Sequence, residues 1–172
     1  RVQHQISHAP ASTLLLDETV AQIWRDWQAQ DPVQRRAVVM LDTQATQVEF
    51  DAEHLRRVLV NLLDNALRYM GPEPDSLCVA TRTTPAGQVS LQVWSDGAPM
   101  DKSVERHLFE PFFSSESRSS GLGLYICREL CQRHGASISY QRLNRTTLRG
   151  ETGGNAFTVG FRRTTRPADA AT

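Results

Sequence analysis

The chain carries no excess of either charge: Lys and Arg number 19, and so do Asp and Glu, among 172 residues. Without a basic surplus, a domain held on nucleic acid mainly by its overall charge is excluded. Long apolar runs are also missing. No stretch approaches the roughly 20 residues that cross a bilayer, and the opening residues show no secretory pattern. Cysteine is scarce. Cys78, Cys127 and Cys131 form an odd set with no CxxC pair, which reads as reduced thiols packed in a core, in a cytoplasmic setting. Cys127 and Cys131 stand four apart on an expected helix, where a zinc site would need two further ligands. An initiating methionine is absent too. The chain begins at Arg1 and reads as part of a longer protein, with any targeting or membrane segment lying elsewhere.

What is present is the composition of one soluble domain, 40% hydrophobic and 22% charged. At this size a single core buries roughly 70% of the unfolded surface, so no staples are needed. Residues 1–12 read as a leader or the end of an upstream helix, 13–163 as the domain, and 164–172 as a disordered tail. Within the domain, Asp17 can cap a helix over 18–30 with Val20, Ile23, Trp24 and Trp27 on one face. Short strands follow at 38–41 and 48–50. Asp51 then caps a helix over 52–70, whose apolar stripe is Leu55, Val58, Leu59, Leu62, Leu63 and Ala66. Residues 77–83 and 88–94 read as a hairpin around Thr84-Pro85-Ala86-Gly87. A loop at 95–100, a short helix at 102–109, a Ser-rich loop at 114–120 and a helix at 122–134 ended by Gly135 come next. Strands at 138–142 and 156–163, with a Gly/Thr-rich loop between them, close the domain. This order predicts an α/β fold with one mixed sheet and helices stacked on one face.

Three segments carry the chemistry. In Asn61-Leu62-Leu63-Asp64-Asn65-Ala66-Leu67-Arg68-Tyr69, the residues Asn61, Asn65, Arg68 and Tyr69 line one side of the helix beside its apolar stripe. An amide oxygen is a suitable hard ligand for Mg²⁺, and an arginine can meet a phosphate. A solvated helix edge would use the same residues. In Ser119-Ser120-Gly121-Leu122-Gly123-Leu124, a glycine turn runs into a helix. Its backbone can approach an anion closely, and the helix N-terminus offers N–H groups to it. An ordinary helix start would look alike, and no lysine follows in the P-loop manner. Phe109-Glu110-Pro111-Phe112-Phe113, just before the Ser-rich loop, can anchor that loop on the core and hinge it as a lid.

Taken together and in order, NLLDNALRY and FEPFFSSESRSSGLGLYICREL resemble the asparagine box, phenylalanine box, lid and second glycine box of the catalytic domain of bacterial sensor histidine kinases. That family lies in the superfamily of Hsp90, gyrase B and MutL. The resemblance covers about 14–163, and the short lid is similar to that of the nitrogen- and pilus-regulator subgroup. It implies a two-layer Bergerat-type sandwich, with a mixed, mostly antiparallel sheet, that binds ATP with Mg²⁺. By this likeness Asn65 would hold the Mg²⁺, and Arg68 would contact phosphate. Tyr69 would border the adenine, and the backbone of Ser120, Gly121, Leu122, Gly123 and Leu124 would hold the phosphates. Phe109, Phe112, Ser114, Ser115, Glu116 and Arg118 would form the lid. Asn61 would stand where the hydrolases of the superfamily place a general base. An amide serves poorly as a base, which suits phosphotransfer over hydrolysis. The implied partners are an upstream helical dimerisation domain bearing the phosphoacceptor histidine, and a response regulator. The parent protein would be a homodimer, and no nucleic acid is implied.

The likeness breaks in the first glycine box. Ser95 stands where the family has the Asp that accepts from the adenine amino group; Asp96 follows it, Gly97 matches, and Pro99 replaces the second Gly. Losing a charged acceptor forfeits roughly 1.5–3 kcal/mol, or about ten- to a hundredfold in affinity. Ser95 could accept through a water, a one-residue bulge could swing Asp96 into place, or both residues could simply shape a turn. Ser119 also replaces a usual Gly, and Glu116 sits in the lid where the subgroup often has Lys. Two readings follow: a working kinase catalytic domain with altered adenine reading, and a regulatory module that keeps the fold but not useful ATP binding. Neither His4-Gln5 nor His8-Ala9-Pro10 matches the acceptor pattern of the family. His134 reads as a helix-end residue, His54 and His107 as lying on solvated helix faces, and Trp94 as packing beside the pocket.

Overall fold

The computed structural model describes residues 12–32, 36–113 and 122–164. Its main body is a five-stranded sheet of order β2-β4-β5-β7-β6, made of β2 (Val38–Asp42), β4 (Leu77–Thr83), β5 (Val89–Asp96), β6 (Ser137–Thr147) and β7 (Gly150–Phe161). Only β2 and β4 pair in parallel; the other pairs are antiparallel. A separate two-stranded ribbon joins β1 (Thr13–Leu15) to β3 (Gln47–Glu49).

Helices α1 (Leu16–Gln28), α2 (Ala52–Tyr69) and α4 (Gly123–Arg133) pack on one face of the sheet, and α3 (Lys102–Arg106) is a short turn of helix before the cluster of Phe109, Phe112 and Phe113. In α2 the cap and the apolar stripe are those expected. Asp51 accepts from His54 N–H at 2.9 Å, and Leu55, Val58, Leu59, Leu62, Leu63 and Ala66 are buried. They meet Leu91 and Val93 of β5 and Phe157 and Val159 of β7 in one core. The thiols of Cys127 and Cys131 lie in it, and burial pushes both up to about 12, so they stay protonated at neutral pH.

Several local expectations are corrected. Asp17 does not cap α1: it lies inside the first turn, where its carboxylate accepts from Thr43 N–H at 2.9 Å, Gln44 N–H at 3.0 Å and the hydroxyls of Thr43 and Thr81 at 2.5 and 2.6 Å. It thus ties the β2–β3 turn to α1 and β4. The segment read as a Gly/Thr-rich loop is instead a long hairpin, β6 and β7 pairing from Ser137↔Gly160 to Thr147↔Gly150. Trp94 is not beside the pocket. It lies on the outer sheet face with Cys78 and Ala156, and its indole N–H donates to Leu143 O at 2.8 Å. To reach Leu143 the ring passes over β7, where a Cβ on Gly154 would come within 2.4 Å of Trp94 Cε2. Glycine there serves a close approach rather than a loop.

His54 is not on a solvated face either. Its Nδ1 is 2.8 Å from His134 Nε2, and the His134 ring packs 4.5 Å from that of Phe50. Burial, then the His54 charge beside it, lowers the His134 pKa, with Asp51 opposing and Arg133 reinforcing. The folded value lies below the unfolded value of about 6.5. The stabilisation is therefore present above that unfolded value and is lost as pH falls through the folded one. The thermal midpoint is expected to drop on acidification below about pH 6.5, and His134→Gln to flatten the drop. A midpoint unchanged across that window, or an equal drop in the variant, contradicts the assignment. His107 is exposed as expected, but it follows α3 instead of lying on it, and it pairs with Glu110 at 2.8 Å.

Candidate functional site

The site is built along one side of α2. Asn61 is half-buried, and its amide Nδ2 donates to Gly123 O at 3.4 Å, where α4 begins. One turn deeper, Cys127 Sγ donates to Val58 O at 3.6 Å, so the first turns of α4 are held against the middle of α2. Among the described residues no side chain caps α4, and no acidic residue stands in its first turn, so none of these sets a negative charge at the positive end of its dipole. A Cβ on Gly123 would lie 3.9 Å from Asn61 Cγ, an ordinary contact. Packing therefore does not demand this glycine, but its lack of a side chain keeps the backbone approachable.

Asn65 is half-buried one turn beyond Asn61, and its amide has no hydrogen bond among the described residues. Arg68 and Tyr69 are exposed farther on, Tyr69 by 41%. The C-terminal end of α2 meets the end of β5: a Cβ on Gly97 would lie 3.3 Å from Tyr69 O. The polar side of α2 thus runs from the start of α4, at Asn61, to the end of β5, at Tyr69. That is about 12 Å at 1.5 Å per residue.

At the β5 end the sheet supplies the floor. Pairing is continuous on both sides of β5, from Leu77↔Ser95 on β4 to Asp96↔Gly154 on β7, so no bulge exists and side chains alternate to Asp96, two residues past the strand end expected at 94. Ser95 follows Leu91 and Val93 onto the helix-covered face, where it is 6% exposed. Asp96 follows Trp94 to the other face. The idea that a bulge delivers Asp96 to the site is therefore corrected. Its carboxylate accepts from Gly71 N–H, Ser76 Oγ–H and Arg149 Nη2–H, each at 2.8 Å. Burial pushes its pKa up, but those three hydrogen bonds and the Arg149 charge outweigh burial and hold it below the usual carboxylate range. Arg149 also lies 3.5 Å from Asp75, and Leu148 N–H donates to Asp75 at 2.7 Å, so the β6–β7 turn is clamped onto the loop after α2.

Three residues of this floor had not been singled out. Asn155, the cross-strand partner of Ser95, donates to Ala98 O at 3.1 Å and accepts from the Tyr140 hydroxyl at 2.5 Å. Arg142 donates to Gly97 O at 2.6 Å and to Asn155 Oδ1 at 3.3 Å. Together they hold the Gly97-Ala98 turn. Asn155 was hidden because it fell one residue before the expected strand at 156–163, and Tyr140 and Arg142, although inside the expected strand at 138–142, face Asn155 and Gly97 only through the pairing of β6 with β7. Of the residues expected to form a lid, Phe109 packs edge-on against Phe157 with centroids 6.2 Å apart, while Phe112 is 77% exposed at φ 63°. Leu122 and Leu124 are half-buried at the start of α4. Ser114, Ser115, Glu116, Arg118, Ser120 and Gly121 lie outside the described residues, as do His4 and His8.

Comparison with known proteins agrees with this layout. The sequence profile of the histidine kinase-, DNA gyrase B- and HSP90-like ATPases matches residues 50–165. The chain is 36% identical over 118 residues to the sensor protein kinase PilS of Pseudomonas aeruginosa, a match covering 67% of this chain and 21% of that protein. It is 30% identical over 127 residues to the sensor protein KdpD of Escherichia coli, covering 71% of this chain and 13% of KdpD. The chain thus spans about a fifth or less of the length of these curated relatives. In fold it is similar to the nucleotide-free catalytic domain of histidine kinase ThkA, with a TM-score of 0.71 at 22% identity over 91% of this chain and 97% of that one. The mycobacterial sensor histidine kinase MprB gives 0.70 at 20% identity over 89% and 100%. No helix among the described residues is long and apolar enough to cross a membrane. By its profile match and its architecture, the chain belongs to the histidine kinase-, DNA gyrase B- and HSP90-like ATPases, as a catalytic domain of the sensor histidine kinase type.

Proposed function

We propose that this chain seats Mg²⁺-ATP along the polar side of α2 and delivers the γ-phosphate to a histidine on a helical dimerisation domain of the same protein, for relay to a response regulator. The observation that carries this is Asn65, a half-buried amide without an intramolecular partner among the described residues, one turn from an asparagine held at the start of α4. A half-buried amide with lone pairs to offer fits a hard cation. In this reading Asn65 holds the Mg²⁺, which when bound screens the phosphate charge. The backbone from Ser120 through Leu124 holds the phosphates at the positive end of α4, and Arg68 adds a contact. Tyr69, Ser95 and Gly97 border the base. Phe109, packed on Phe157, anchors a lid that takes in Phe112, Ser114, Ser115, Glu116 and Arg118. Asn61 positions and does not take a proton, so water is not activated and transfer to histidine prevails over hydrolysis. In the same reading 13–163 is the domain, the parent is a homodimer and the chain falls in the nitrogen- and pilus-regulator subgroup; similarity to the sensor protein kinase PilS supports the sensor-kinase reading itself.

The whole kinase containing this chain, incubated with γ-labelled ATP, is expected to take up acid-labile, base-stable label on a histidine outside residues 1–172. The isolated chain is expected to take up none. Stable label on His4 or His8, or an unlabelled whole kinase at saturating ATP, overturns the reading.

A further inference from the structure

We infer that the base end of the site accepts 6-oxopurine nucleoside triphosphates, the class of ITP and GTP, about as readily as ATP, because its floor offers the Ser95 hydroxyl and no carboxylate. The inference deepens the nucleotide reading and rests on it. Ser95 is 6% exposed on the helix-covered face, and its hydroxyl makes no hydrogen bond with any described residue. The hydroxyl is not among the fully enclosed polar atoms of the described residues, so it is open to a ligand or a water. The phosphate-binding start of α4 adjoins Asn61, whereas the end of β5 adjoins Tyr69. A nucleotide with its phosphates at the first place therefore has its base near the second.

The neighbours of Ser95 leave it as the group that reads the base. Asn155 beside it is fixed on both sides of its amide, by Ala98 O and by Tyr140 and Arg142, so it cannot turn to suit a different edge. Asp96 is on the opposite face, held by Gly71, Ser76 and Arg149. Adenine presents an amino group at C6, and hypoxanthine and guanine present a carbonyl. An ionised carboxylate only accepts hydrogen bonds, so at this floor it would bind the amino group and repel the carbonyl. A hydroxyl donates or accepts, directly or through one water. Discrimination at C6 requires either a group that fits one edge alone or a repulsive element against the other. Neither is built into β5 or β7.

The test is displacement of a fluorescent ATP analogue from this chain by Mg²⁺-ATP and by Mg²⁺-ITP, which differ at C6 and in the proton on N1. The two dissociation constants are expected to agree within about threefold in the native chain. Ser95→Asp is expected to shift the ratio in favour of ATP by at least about tenfold, and Ser95→Ala to weaken both nucleotides by the same factor. Native binding of ATP more than about tenfold tighter than ITP overturns the inference. If the native chain binds neither nucleotide and Ser95→Asp binds ATP, the inference fails and the site stands. If no variant binds any nucleotide, the nucleotide reading itself fails and the inference falls with it.

Discussion

Replacing Asn65 with alanine is expected to weaken Mg²⁺-nucleotide binding by about a hundredfold while shifting the thermal midpoint hardly at all. The reason is an asymmetry in what the side chain touches. Within the protein, the Asn65 amide makes no hydrogen bond with a described residue, and it is half-buried, not enclosed. Removing it leaves no orphaned partner and opens no cavity, so the cost in stability stays within about 0.5 kcal/mol. Toward the ligand, in the proposed role, the same amide would supply an oxygen to the cation that balances the charge of the phosphates. A lost contact to a charged group is worth roughly 1.5–3 kcal/mol, which is about ten- to a hundredfold; loss of the cation places the result at the upper end. Asn61→Ala gives the contrast. Asn61 already donates to Gly123 O at a long 3.4 Å, so its removal loosens the contact of α4 with α2 and lowers affinity less. Calorimetric titration of both variants, with unfolding curves alongside, separates the effects. Equal losses of affinity, or a large fall in stability for Asn65→Ala, contradict the roles assigned.

The second large effect is structural. Gly154→Ala is expected to lower stability by about 3 kcal/mol, which for a chain of this size lowers the thermal midpoint by about 10 °C. The added Cβ would lie 2.4 Å from Trp94 Cε2, 2.5 Å from Trp94 Nε1 and 2.5 Å from the backbone oxygen of Ser95. Neither neighbour can yield cheaply. The indole is fixed by its bond to Leu143 O, with the Arg145 guanidinium 5.7 Å over its ring, and Ser95 O belongs to the sheet backbone. Relief requires β5 and β7 to part at the Ser95–Asn155 pair, at the floor of the proposed site. The variant is therefore expected to lose nucleotide affinity along with stability. Shrinking the ring tests the cause: Gly154→Ala combined with Trp94→Leu is expected to be less destabilised than the sum of the two single changes. Strict additivity contradicts the clash.

The contrast between α2 and the β6–β7 hairpin shows what a sequence can and cannot reveal here. In α2 a capping aspartate, a clean 3.6-residue stripe and two asparagines four apart all agree, and each is a local property of consecutive residues. The hairpin hides because its cause is remote. Gly153 and Gly154 look like loop residues until Trp94 is seen lying across β7. The ribbon strand β1 is three residues long, too short to show alternation. Asp17 had the composition of a helix cap, but Thr43 and Thr81, 26 and 64 residues away, hold its carboxylate instead. At the site, Ser95 was picked out by its place in the motif resemblance, but the strand was expected to end at 94; β5 runs on to Asp96 and carries Ser95 to the inward face. The fate of Asp96 was not legible, since Arg149 is 53 residues distant. Asn155 was missed because it fell in the stretch read as a loop, and Arg142 because its partners Gly97 and Asn155 are 45 and 13 residues away.

The most direct test is a heteronuclear NMR titration of this chain with the Mg²⁺ complex of a non-hydrolysable ATP analogue. Saturable shifts are expected at Asn61, Asn65, Tyr69, Ser95, Gly97 and Gly123, with the Cys78 amide, in the outer cluster, undisturbed. No saturable change up to millimolar nucleotide, or changes confined to the outer sheet face, would contradict the account.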